Sequence, residues 1–231
     1  MLRVGLTGNL GSGKSTIAAL LRELGAEVVE ADQLGRVLME PGQPVFAAIV
    51  ERFGPAVVLA DGRLDRPALA RLAFEGGRLQ ELNAIIHPAV IAAQREWMRQ
   101  VFAANPAAVA VVESALIFEV ERDARLRGES ETVLSNWHRR FDRVVVVTAP
   151  DELKIARYAA RVATTPGARP AAAEEARRRL RHQIPDAETA PRADYLLENT
   201  GDLEALRAAV RALWARLEEE SNKSTKDESL Q

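Results

Sequence analysis

Read for apolar and polar positions alone, the chain alternates short buried runs with longer amphipathic stretches. Leu2 to Thr7 form an apolar run closed by a glycine-rich turn, which predicts a buried first strand. Thr16 to Leu24 follow with helical spacing and stop at Gly25. Glu27 to Glu30 predict a second strand. From Gln33 to Asn105 the pattern is helical, punctuated by Pro41-Gly42, Gly54-Pro55, Asp61-Gly62, Gly76-Gly77 and Pro88. Ala108 to Val112 and Arg143 to Thr148 are β-branched runs that predict a third and a fourth strand, and Tyr195 to Leu197 a short fifth. Leu203 to Glu219 read as a closing amphipathic helix. Strands alternating with helices argue for an α/β fold with a parallel sheet covered on both faces.

Two stretches break this rhythm. Thr164 to Arg181 is rich in arginine and alanine, is interrupted by Pro166-Gly167 and Pro170, and reads as a mobile arm rather than a core element. The polar residues 218–231 predict a disordered tail.

Composition adds mainly exclusions. The 231 residues contain no cysteine, which removes disulfides and thiolate metal sites. A net charge of −2 gives no electrostatic reason for a nucleic-acid or membrane partner. No apolar run is long enough to span a bilayer and no leader pattern opens the chain, so the expectation is a cytoplasmic protein.

The candidate chemistry begins after the first strand. Gly8-Asn9-Leu10-Gly11-Ser12-Gly13-Lys14-Ser15 fits the phosphate-loop pattern in full, with the required strand before it and helix after it. Glycines let successive N–H groups turn inward onto phosphate oxygens, and the helix adds its positive end. Gly11, Ser12, Gly13, Lys14, Ser15 and Thr16 are therefore candidate ATP-binding residues. Lys14 can reach the β- and γ-phosphates and Ser15 can ligate Mg²⁺. No guanine-reading Asn-Lys-x-Asp follows a late strand, and no ABC-type signature is present, which leaves a small-molecule kinase.

Two acids lie at strand ends, where open α/β sheets place ligands. Asp32 can orient an attacking hydroxyl or take its proton, or it can cap the helix that begins near Gln33. Glu113 can join the Mg²⁺ shell or simply end its strand in solvent.

Further motifs name a family. Val4 through Thr16, Glu30-Ala31-Asp32 with Glu40-Pro41-Gly42, Asp61-Gly62-Arg63-Leu64-Asp65-Arg66 and Leu82-Asn83-Ala84-Ile85-Ile86-His87-Pro88 resemble, in order, stretches of the dephospho-CoA kinases. So do Val145-Val146-Val147, Arg157 and Arg161, Gln183, Ala193-Asp194-Tyr195 and Asn199-Thr200-Gly201, so that the resemblance runs from Met1 to about Leu217. It implies a P-loop NTPase core with a five-stranded parallel sheet, spanning 1–32 and 106–217, a helical acceptor-binding region over 33–105, and a lid over 157–185. It implies transfer from ATP to the ribose 3′-hydroxyl of dephospho-CoA, with Asp32 as general base, Arg157 and Arg161 on phosphates, Asn199 at the nucleotide, and Arg66 and His87 near the acceptor. An arginine face in solvent remains the plainer reading of Arg157 and Arg161, and a capping or core histidine that of His87. No nucleic-acid or membrane partner and a monomer or weak oligomer are expected.

The chain departs from the family pattern in places. Glu113-Ser114-Ala115-Leu116-Ile117-Phe118-Glu119 stands where the family shows Asp-x-Pro-Leu-Leu-Phe-Glu. Val120 to Phe141 is longer than expected, Thr164 to Pro170 is an added segment, and Val162 replaces an aspartate after Arg161.

Overall fold

A computed structural model describes residues 1–228, with every side chain among them except those of Pro166 and of residues 224–228. In chain order the elements are β1 (Leu2–Gly8), α1 (Lys14–Glu23), β2 (Glu27–Glu30), α2 (Ala31–Leu38), α3 (Pro44–Phe53), α4 (Arg66–Phe74), α5 (Leu79–Ala104) and β3 (Val109–Glu113). Then come α6 (Ile117–Leu126), β4 (Arg143–Thr148), α7 (Asp151–Val162), α8 (Arg169–Leu180), α9 (Asp186–Thr189), β5 (Tyr195–Glu198) and α10 (Leu203–Glu228).

The five strands form one parallel sheet in the order β2-β3-β1-β4-β5. Successive side chains of a strand point to opposite faces, so the valine runs serve two cores at once. Val111, Val145 and Val147 face α1 and α10, where they meet Ile17, Leu21, Val210 and Leu217. Ala110, Val112, Val144 and Val146 face the other way, toward Met98 of α5, Phe118 of α6 and Phe141. Burial on both faces explains why β3 and β4 read as continuous apolar runs rather than as alternating ones.

A third, smaller core lies outside the sheet. Val45, Ile49 and Phe53 of α3 pack with Val57, Leu64 and Leu69, under Leu82, Ile85 and Ile86 of α5. The long helix α5 belongs to both cores, because its second half, with Met98, Trp97 and Val101, lies on the sheet. Pro88 lies inside α5, where its missing N–H predicts an interruption. One lost backbone bond is outweighed here by packing on both sides of the proline.

The closing helix also differs from the sequence reading. It does not give way to a tail at residue 218 but continues to Glu228. Ser221 is buried, and its hydroxyl donates to the carbonyls of Ala107 and Ala108 ahead of β3. A polar composition concealed this docking, which depends on residues far away in sequence. Residues 229–231 of the expected tail lie outside the described residues. Among the described residues no helix is long and apolar enough to cross a membrane.

Candidate active site

The turn from β1 into α1 is the phosphate loop. Gly13 occupies the N-cap of α1 with φ 102°, a left-handed conformation that favours glycine. A β-carbon there would come within 2.2 Å of Asn199 Nδ2, which donates to the Ser12 carbonyl at 2.8 Å. At Gly11, φ 73°, a β-carbon would strike the Lys154 carbonyl of α7 at 2.2 Å. Both glycines are thus required by local backbone conformation and by close neighbours. Lys14 is 8% exposed, and its Nζ donates to Gly8 O at 2.7 Å and Asn9 O at 3.2 Å. Burial lowers the pKa of this ammonium, while the carboxylates of Glu113 and Asp32 oppose that shift.

Behind the loop runs a polar brace. Asn9 Nδ2 donates to Ile184 O at 3.0 Å and to Asp186 Oδ1 at 2.9 Å, and the Leu10 amide donates to Gln183 Oε1 at 2.9 Å. The other oxygen of Asp186 meets Lys154 Nζ at 2.6 Å, an ammonium that is 1% exposed. The Ile184 amide donates to Glu119 of α6 at 3.1 Å. A buried ammonium is tolerated only with such partners. The segment 183–186 therefore fixes the loop, α6 and α7 relative to one another.

In front of the loop lies a cleft of about 830 Å³. Its walls include Gly11, Gly13, Lys14, Ser15 and Thr16 from the loop, Asp32 and Arg36 from α2, and Glu113 from β3. Arg157, Tyr158 and Arg161 of α7, Arg179 of α8, Gln183 and Asn199 complete it. Asp32 is the second residue of α2 rather than its cap; Glu30 holds the cap position, without a side-chain capping bond. The capping alternative for Asp32 is therefore not realised, and among the described residues no hydrogen bond or ion pair occupies its carboxylate. Ser15 Oγ donates to Glu113 Oε1 at 3.4 Å. Burial raises the Glu113 pKa, the nearby Lys14 lowers it, and Glu30 and Asp32 raise it further.

Arg157 is held in place rather than solvated, with Nη1 donating to Asn199 O at 3.1 Å and Nη2 to Asn199 Oδ1 at 3.3 Å. Arg161 and Arg179 lie 5.7 Å and 5.6 Å from the Tyr158 ring centre. Tyr158, Ile155 and Ala176 join α7 to α8, and Leu10 of the phosphate loop packs against the same cluster. The arginine-rich segment is thus a helix docked on α7, in contact with the loop itself.

Three residues singled out in the sequence lie outside the cleft lining. Ser12 is fully buried, and its amide donates to Asn9 O. Arg66 is exposed at the start of α4, 3.9 Å from Glu40. His87 is 8% exposed inside α5, with Nδ1 unpartnered. Burial pushes its pKa down to about 4, with Asp123 pulling upward and Arg127 and Arg140 downward. The unfolded chain binds this proton more readily, so stability is complete above about pH 6.5 and falls as pH drops toward 4. The loss reaches about 3 kcal/mol at the acid end. His87→Gln is expected to flatten the pH dependence of denaturant-measured stability between those limits; an unchanged slope would contradict it.

Arg36 and Arg179 escaped sequence reading. Arg36 stands one helical turn after Asp32, a usable signal once the helix start is known. Arg179 was hidden among neighbouring arginines that face solvent.

Taken as chemistry, the cleft offers inward backbone amides and cations for a polyphosphate, hydroxyl and carboxylate oxygens, and a free carboxylate at the opposite wall. Those oxygens are the hard donors Mg²⁺ prefers. Among the described residues no group of three metal-ligating His, Asp or Glu side chains exists.

Comparison with known proteins supplies the lineage. A dephospho-CoA kinase family profile matches residues 2–205. The dephospho-CoA kinase of Moorella thermoacetica is 37% identical over 219 residues, covering 94% of this chain and 93% of the relative. That of Symbiobacterium thermophilum is 41% identical over 214 residues, covering 91% and 79%. A crystal structure from Thermus thermophilus superposes with a TM-score of 0.69 at 34% identity, covering 94% of this chain and 97% of that one. The dephospho-CoA kinase structure from Campylobacter jejuni, at 21% identity and a TM-score of 0.62 over 94% and 97%, shares the fold. A match that spans nearly the whole chain, on a fold with an intact phosphate loop, places this chain in the dephospho-CoA kinase family.

Proposed function

We propose that the chain transfers the γ-phosphoryl group of ATP to the ribose 3′-hydroxyl of dephospho-CoA, giving coenzyme A and ADP, the last step of coenzyme A biosynthesis. The observation that carries this reading is the unpaired Asp32 carboxylate facing an intact phosphate loop across one cleft, in a chain of this family.

The loop amides and Lys14 hold the β- and γ-phosphates. The acceptor oxygen attacks the γ-phosphorus in line with the departing ADP oxygen, and its proton passes to the Asp32 carboxylate. Positioning and charge stabilisation supply most of the rate in such transfers. Arg161 and Arg157 neutralise charge on the moving group, and Asn199 fixes the angle of Arg157. Ser15 and Glu113 would hold Mg²⁺, which neutralises charge shared between the β- and γ-oxygens. The segment 157–185 acts as a lid that excludes water from the γ-phosphate once both substrates are bound. Arg66, outside the cleft lining, is left for the distal part of a long acceptor.

The test is an acceptor panel. With ATP and Mg²⁺, kcat/KM for dephospho-CoA should exceed that for adenosine, adenylate and shikimate, with coenzyme A identified by mass. Efficient turnover of one of those three, with none of dephospho-CoA, would overturn the acceptor and leave the kinase reading intact.

A further inference from the structure

The cations lining the cleft are unevenly placed. Lys14 comes from the phosphate loop, and Arg157, Arg161 and Arg179 come from α7 and α8. Arg179 is ion-paired with Glu175, and Arg157 is tied to Asn199. Among the described residues lining the cleft, Arg36 is the one cation from the opposite wall, on α2. Among the described residues no hydrogen bond or ion pair occupies its guanidinium.

Its direction is set by packing. Ala31 and Gly35 are the buried residues of α2, and a β-carbon on Gly35 would stand 3.6 Å from Val90 of α5. This narrow stripe of small residues fixes the rotation of α2. Asp32 and Arg36, each one position further along the chain, are thereby turned together into the cleft. Residues four apart on a helix carry their β-carbons about 6 Å from one another. An acid four residues before a base is also the favourable order for an ion pair, yet none joins these two. Both groups are open to a ligand, and an exposed pair of this kind would be worth too little to hold them back.

The ligand must satisfy both groups. Asp32 suits a hydroxyl. Arg36 suits an anion located the width of one ribose away from it. The acids Glu30, Asp32 and Glu113 line the same cleft, so an anion held there needs a cation beside it. An acceptor nucleotide that reacts at its 3′-hydroxyl and carries a diphosphate on its 5′-oxygen has this spacing. We infer that Arg36 binds the 5′-diphosphate of the acceptor and so sets which hydroxyl lies against Asp32. The inference rests on the acceptor reading above and assigns a specificity-determining residue to it. A planar guanidinium can span two phosphate oxygens at once, which an ammonium cannot.

Steady-state kinetics of Arg36→Ala and Arg36→Lys test it. For Arg36→Ala, KM for dephospho-CoA should rise about 10- to 100-fold, the cost of a lost charge-assisted hydrogen-bond pair. Its kcat should stay within about threefold and KM for ATP should be unchanged, because the interaction exists before and during transfer alike. Arg36→Lys should recover part of the loss. Thermal stability should not move, since the side chain is exposed and unpaired. An unchanged KM for dephospho-CoA overturns the inference. So does a fall in kcat at constant KM, which would place Arg36 on the moving phosphoryl group, or a rise in KM for ATP. Wild-type protein inert toward dephospho-CoA would overturn the acceptor reading itself, a result distinct from all of these.

Discussion

Lys14→Met is expected to lower kcat by about 10³-fold or more, at the upper end of what removal of one preorganised charge-stabilising donor costs. The phosphate loop curls so that this ammonium reaches the carbonyls of Gly8 and Asn9, on the side where the β- and γ-phosphates would lie. Negative charge on those oxygens is spread and moved during transfer, and a fixed cation in a partly dehydrated cleft acts on it without reorganising. Methionine keeps the length of the side chain and removes the charge. Because Lys14 is buried, its replacement removes a desolvation cost but also two hydrogen bonds to Gly8 O and Asn9 O, opposing effects that should leave the melting temperature changed far less than kcat. Activity and stability then move apart. A variant with near-normal kcat would show that the loop serves binding alone.

Asp32→Asn is expected to lower kcat by about 10²- to 10⁴-fold, the range for a lost general base. Asparagine preserves the shape and can still hydrogen-bond a hydroxyl, but it cannot accept the proton. Among the described residues no hydrogen bond or ion pair occupies the Asp32 carboxylate, and it is not the cap of α2. Its contribution to stability is then limited to an acid in the first turn of a helix, about 0.3–1 kcal/mol. ATP affinity should survive, since the residue stands across the cleft from the loop. Measuring kcat, ATP affinity and thermal stability on one variant separates the outcomes. A large stability loss with kcat intact would make Asp32 a structural residue.

The fold was legible because its determinants are local. Each strand of the sheet is a valine-rich or apolar run bounded by glycine, proline or a change of period, and the observed strands differ from expectation by a residue or two at most. The phosphate loop was legible because its glycines and lysine are consecutive. What escaped depends on distant partners. Asn9 looks like one more loop residue until Ile184 and Asp186 arrive beside it. Ser221 sits in a polar run and is buried only because α10 runs back under the sheet to Ala107 and Ala108. Pro88 signals a break that packing on both sides of α5 overrides. His87 illustrates the reverse difficulty: a motif histidine suggests chemistry, while its ring is buried inside α5 and outside the cleft lining.

Asp32 shows how finely a site reading depends on a helix boundary. Starting α2 near Gln33 makes this residue a cap; starting it at Ala31 frees the carboxylate and puts Arg36 on the same face. A shift of two residues in a helix start, which sequence patterns do not resolve, thus decides whether this residue stands at the cap or within the helix, with its carboxylate lining the cleft.

The most direct test of the account follows the phosphoryl group itself. Under single-turnover conditions, ATP isotopically labelled in its γ-phosphate is mixed with Mg²⁺, dephospho-CoA and excess protein, and the product is resolved by phosphorus and proton NMR. The account predicts label on the 3′-oxygen of the acceptor ribose, with ADP formed in equal amount. Label on the 2′-oxygen, or label released only as inorganic phosphate while dephospho-CoA stays unmodified, would contradict it.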